Sequence, residues 1–124
     1  MKKLFISVPM RDKSEEQIRK AMDKMHKIAE AVFGEELEVI PSYIEHNPPK
    51  GSREAIWYLG ESIKKLAEAD YFIGVQVEDR YSYYGCAVEN NIAYNYDIPF
   101  YMIPYSLVYP EDSQSLDCTP VCCS

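Results

Sequence analysis

Short apolar runs of strand length alternate with longer segments of helical period along most of this chain, and that alternation constrains its fold more than any other feature. Leu4–Val8 (LFISV), Leu37–Ile40 (LEVI), Tyr71–Val77 and Phe100–Ile103 are apolar and rich in β-branched or aromatic residues. Runs without polar alternation suit strands covered on both faces. Between the first two, Ser14 heads a capping box with Gln17 at its third position. Ile18, Ala21, Met22, Met25, Ile28, Ala29, Val32 and Phe33 then follow at the three-and-four spacing of one helical face, up to a stop at Gly34. Ser52 is placed to cap a second helix with a buried stripe of Ile56, Leu59, Ile63, Leu66 and Ala67. A third helix opens near Gly85, in front of the strand at Phe100. Strands joined through helices pair in parallel with right-handed crossovers. The expected architecture is therefore an α/β three-layer sandwich around a Rossmann-like parallel sheet of four to five strands, in the order 2-1-3-4. Its weakest member is a fifth strand at Tyr105–Tyr109.

A chain of 124 residues is long enough for one domain with a real core, assigned here to residues 1–109. Residues 110–124 read as a mobile tail. Three of the four cysteines, Cys118, Cys122 and Cys123, crowd into it, a spacing that suits neither a zinc site nor a disulfide framework. Lys+Arg 13 against Asp+Glu 20 gives a net charge of −7, and no local basic patch offsets it, so no nucleic-acid partner is expected. No apolar run approaches the roughly 20 residues of a membrane span. The start MKKLFISVP lacks the pattern of a secretion signal, so a cytoplasmic location and no membrane partner are expected.

In open parallel sheets, ligands bind beyond the carboxyl ends of the strands, where the order switches direction. The 2-1-3-4 order brings two segments together there, VPMRDKS after strand 1 and VEDRYSYYG after strand 3. Candidate ligand-binding residues are Ser7, Pro9, Met10 and Arg11 from the first, and Tyr81, Tyr83 and Gly85 from the second. His46 joins them from the long loop PSYIEHNPPKGS that follows the second strand. Glu89, expected in the first turn of the third helix, is the candidate catalytic carboxylate, kept ionised by the helix amino terminus.

FISVPMR, YLGESIKKLAEADYFIGV and GCAVENNIAYNYDIPFYMI, taken together, resemble the nucleoside 2-deoxyribosyltransferase superfamily, including its nucleotide N-glycosidase relatives and short bacterial and phage members. The likeness spans about residues 1–104. It implies a flavodoxin-like fold that cleaves or exchanges the bond between a base and a ribose or deoxyribose, with a nucleoside or nucleoside 5′-monophosphate as partner. It also implies Glu89 as nucleophile, Arg11 as holder of a 5′-phosphate, and a homodimer or larger assembly with sites between subunits. Such chemistry needs a carboxylate at the anomeric carbon and a proton source for the leaving base. It requires no cofactor and no metal. The chain departs from the family at three positions. Ser62 stands where an aspartate is usual, Tyr83 replaces Asp or Ser, and Asp12 replaces a small residue. Asp79 or Glu61 is then the candidate substitute acid.

Each residue also has a plainer interpretation. Glu89 is a favoured residue type near a helix start, Arg11 suits a solvated surface, and loop histidines such as His46 are usually solvated. Tyrosines are enriched at subunit interfaces as well as in base-stacking sites, and 11 of them are hard to bury in one small core. The alternative function is a non-catalytic nucleotide-binding protein on the same scaffold. An assembly protein with a tyrosine surface and no small-molecule pocket is a third.

Overall fold

The computed structural model describes residues 1–10, 12–41, 47–76 and 84–110, the side chain of Tyr84 excepted. Arg11, His46, Asp79, Tyr81, Tyr83 and the cysteine tail fall outside it. The elements run β1 (Lys2–Ser7), α1 (Glu15–Phe33), β2 (Leu37–Val39), α2 (Glu54–Leu66), β3 (Tyr71–Gln76), α3 (Tyr84–Asn95), β4 (Phe100–Pro104) and α4 (Tyr105–Val108). All four strands are parallel, in the order β2-β1-β3-β4. The α/β sandwich and its strand order are those the sequence implies.

Strand parity divides the core in two. Leu4, Ile6 and Val8, with Ile73 and Val75, face α1 and pack on its buried Ala21, Met25 and Ala29. Phe5 and Phe72 point the other way, beneath Leu66 of α2 and Ala93 of α3. They are register partners on β1 and β3, and their rings stack at 5.7 Å and 7°. Each such fully buried apolar side chain stabilises the fold by roughly 1.5–3 kcal/mol. By the same alternation the last residue of β1, Ser7, and its partner Gly74 face α3. The Asp70 carboxylate accepts the Lys3 N–H at 2.8 Å while the Asp70 N–H donates to the Lys3 carbonyl at 2.9 Å, which pins the start of β3 to β1. Asp70 is thus a tie between the two strands.

α1 begins and ends where its sequence signals lie. The Ser14 hydroxyl accepts the Gln17 N–H, the Gln17 side chain accepts the Ser14 N–H, and Gly34 adopts φ 75°. Val32, expected on the buried face, is exposed instead. His26, half-buried, approaches the Leu37 carbonyl at 2.8 Å, and Glu30 accepts the Leu37 N–H, so α1 is tied to β2.

α2 departs further from expectation. Its N-cap is Arg53, without a side-chain cap bond, because the Ser52 hydroxyl donates to the Pro49 carbonyl at 2.6 Å. Only Leu66 of the expected stripe is fully buried, and Ile56 is 64% exposed. The helix reaches the core at its carboxyl end, and its first turns stand clear of the sheet.

Tyr105–Tyr109 does not form a fifth strand. Pro104 presets the chain, and α4 buries Val108 and Tyr109 with Tyr105 packed alongside, a helical spacing, leaving Ser106 and Leu107 exposed. No helix among the described residues is long and apolar enough to cross a membrane.

Candidate functional site: a carboxylate held by two serines

Ser7 ends β1, and its hydroxyl donates to Glu89 Oε1 at 2.7 Å. Ser62 Oγ, from the third turn of α2, donates to Glu89 Oε2 at 2.6 Å. Three segments distant in sequence therefore meet on one carboxylate, at the carboxyl end of β1 and beside β3, where the connections leave the sheet in opposite directions. Glu89 is 9% exposed and Ser7 1%. With one donor on each oxygen, the plane of the carboxylate is fixed.

α3 begins at Tyr84, so Glu89 is its sixth residue, in the second turn and not the first. A helix dipole acts chiefly within the first turn. The ionised form is instead supported by the two hydroxyls, and they work against a larger effect. Burial pushes the Glu89 carboxyl above its ordinary range, while the bonds from Ser62 and Ser7 draw it back. The result is a carboxylate more basic than one in water.

Cys86 lies one turn earlier on the same helix. Burial raises its thiol to about 11, against a hydrogen bond with Ser7 that lowers it, and the Glu89 charge adds to the rise. The thiol is therefore neutral near pH 7 and is no competing nucleophile. Asn90, next to Glu89, lies over Gly74. A Cβ at Gly74 would fall 2.6 Å from Asn90 Oδ1, 2.8 Å from Phe72 Cε1 and 3.2 Å from Met102 Sδ. Glycine at this position is what lets α3 approach the sheet closely enough for Glu89 to meet Ser7.

The remaining candidates divide. Glu61 is paired with Lys64 at 2.9 Å, and it is the adjacent Ser62 that bonds Glu89. Pro9 is fully buried and its carbonyl accepts the Tyr109 hydroxyl at 2.6 Å, a structural duty. Met10, 43% exposed, stands at the mouth of the strand end. Gly85 is half-buried in the first turn of α3, with Leu59 Cδ1 3.9 Å from where a Cβ would be. Arg11, His46, Asp79, Tyr81 and Tyr83 lie outside the described residues. Among the described residues no group of three or more His, Cys, Asp or Glu side chains is placed to hold a metal ion.

Sequence reasoning named Ser7 and Glu89 without their mutual bond, and it missed the donor to Glu89 from Ser62. Its signal was present, because Leu59, Ser62 and Leu66 share the three-and-four spacing of one α2 face. Comparison with protein-family models, with curated proteins and with solved structures gives no match.

Proposed function

We propose that this protein cleaves, or exchanges the base of, the N-glycosidic bond of a nucleoside or nucleoside 5′-monophosphate, with Glu89 as nucleophile. The observation that carries the reading is the carboxylate of Glu89, oriented by Ser7 and Ser62 at the ligand end of a parallel sheet. The likeness of FISVPMR and GCAVENNIAYNYDIPFYMI to the deoxyribosyltransferase superfamily supports it from the sequence side.

In this mechanism one Glu89 oxygen attacks C1′ of the sugar as the bond to the base breaks. The base leaves with the bonding electron pair and takes up a proton. The sugar is then held as an ester of Glu89, and water or a second base displaces it with return of the carboxylate. Loosening of one serine bond frees the attacking oxygen, while the other keeps the group oriented. Arg11 follows Met10 directly and is proposed to hold a 5′-phosphate through its guanidinium. Tyr81 and Tyr83 are proposed to stack on the base.

A second reading, nucleotide binding without catalysis, is favoured by one observation. Both Glu89 oxygens are already engaged, and Ser62 supplies no second carboxylate. A homodimer is also proposed, through the exposed Ile56 and Tyr58 of α2, which flank the Ser62 helix face.

The experiment is incubation with a panel of ribo- and deoxyribonucleosides and their 5′-monophosphates, with released base followed by chromatography. Base release that disappears in Glu89→Gln is the expected result. Ligand-dependent thermal stabilisation without release would favour the binding reading.

A further inference from the structure

The turn that leaves β1 is tied to the carboxyl-terminal part of the domain. Tyr109 and Pro9 are both fully buried, and the Tyr109 hydroxyl donates to the Pro9 carbonyl at 2.6 Å across 100 residues of sequence. At the far end of the same turn, Lys13 Nζ lies 4.7 Å above the Tyr109 ring and 5.4 Å above that of Tyr105, within cation–π range. The turn itself closes through the Lys13 N–H to the Met10 carbonyl at 3.2 Å, with Asp12 at φ 62°, a conformation costly for a residue with a Cβ. α4 is in turn anchored on α1, where Lys24 Nζ donates to the Leu107 carbonyl at 2.8 Å and Val108 is buried.

We infer that Tyr109 is a positioning residue for the ligand end of the sheet: its hydroxyl holds Pro9 and its ring face holds Lys13, on either side of Met10, and so they fix where Met10 meets a ligand. The inference rests on the proposed function for its consequence in substrate binding, and on the geometry alone for its consequence in the turn. A ladder bond cannot do this work, because β1 ends at Ser7 and the Pro9 carbonyl lies beyond the sheet. Ser7, inside the ladder, stays in place when the tie is lost. Attack by Glu89 is therefore unaffected, and ligand affinity is not.

The test is Tyr109→Phe, which keeps the ring and removes only the hydroxyl, with Lys13→Met as a second variant that removes only the cation. Amide hydrogen exchange is read first, on the protein alone. The Lys13 amide should exchange about three- to tenfold faster in Tyr109→Phe, the range set by one neutral hydrogen bond, with β3 and α3 unchanged. In the base-release assay KM for the monophosphate should rise by a similar factor at constant kcat. Unchanged exchange at Lys13, or faster exchange spread evenly over the chain, overturns the positioning role. If the parent protein releases no base, the proposed function fails while the exchange result still decides the role of Tyr109. Faster local exchange with an unaltered KM overturns the link to the ligand.

Discussion

Substituting Gly74 by alanine tests how closely α3 depends on a bare backbone in β3. The added Cβ would meet Asn90 Oδ1 at 2.6 Å and Phe72 Cε1 at 2.8 Å, both inside the distance real Cβ atoms keep. Phe72 is fully buried and stacked on Phe5, so its ring has no room to retreat. Asn90 must move, and the second turn of α3 with it. Overpacking of this kind costs about 1–3 kcal/mol, and the tightness of the contacts argues for the upper end. Alanine in a strand recovers roughly 0.5–1 kcal/mol of backbone entropy relative to glycine. The net loss is then about 2 kcal/mol, or about 8 °C in Tm for a domain of this size. Thermal and urea unfolding of Gly74→Ala, Asn90→Ala and the double variant form the assay. Asn90 Oδ1 is buried with no hydrogen-bond partner among the described residues, so removing it relieves the clash at little polar cost. Gly74→Ala should therefore cost at least about 0.5 kcal/mol less in the Asn90→Ala background. An unchanged Tm, or the same cost in both backgrounds, would refute the close approach of α3 to Gly74.

Three further outcomes follow from the site. Burial raises the folded-state pKa of Glu89 above its unfolded value, so the stability contributed by its neutral form is fully present below the unfolded pKa and is lost as pH rises through the folded one. Glu89→Gln should accordingly melt higher than the parent at neutral pH, with the difference shrinking towards acid pH; a difference independent of pH would count against a buried titrating carboxyl. Ser62→Ala leaves Glu89 Oε2 without its donor, which should lower stability by about 1–3 kcal/mol at neutral pH and move the acid limb of kcat/KM to higher pH, with Ser62→Thr restoring both. Sedimentation velocity should give a dimer mass, and Ile56→Glu, at a 64% exposed position, should give a monomer with no loss of Tm; a monomeric parent protein contradicts the proposed α2 interface.

The sheet was legible because each strand run was apolar enough to be buried on both faces and the connections left one economical order. The site was legible in part. Glu89 and Ser7 could each be placed at the ligand end, since topology alone sets the end of β1 beside the start of α3, but the hydrogen bond between them was not legible. Nor was the position of Glu89 within its helix, because the sequence signal for the start lies near Gly85 and α3 opens at Tyr84. The missed features share a physical cause. Ser52 bonds its own loop at Pro49, Ile56 lies on a helix that meets the core only at its last turn, and the alternating Tyr105, Leu107 and Tyr109 coexist with a helical spacing of Tyr105, Val108 and Tyr109. In each case tertiary packing chose between two local patterns of similar strength. Ser62 is the instructive residue. Against the family likeness it counted as a lost aspartate, whereas its hydroxyl still supplies the hydrogen bond that holds Glu89.

The central claim, that Glu89 attacks the anomeric carbon, is tested most directly by trapping the sugar on it. A nucleoside with fluorine at C2′ destabilises the oxocarbenium-like transition state and slows release of the sugar from the enzyme. After incubation with such a nucleoside, peptide mass spectrometry should find the fluorosugar on the peptide containing Glu89, with no adduct in Glu89→Gln. An adduct on another residue, or base release from natural substrates that persists in Glu89→Gln, would contradict the account.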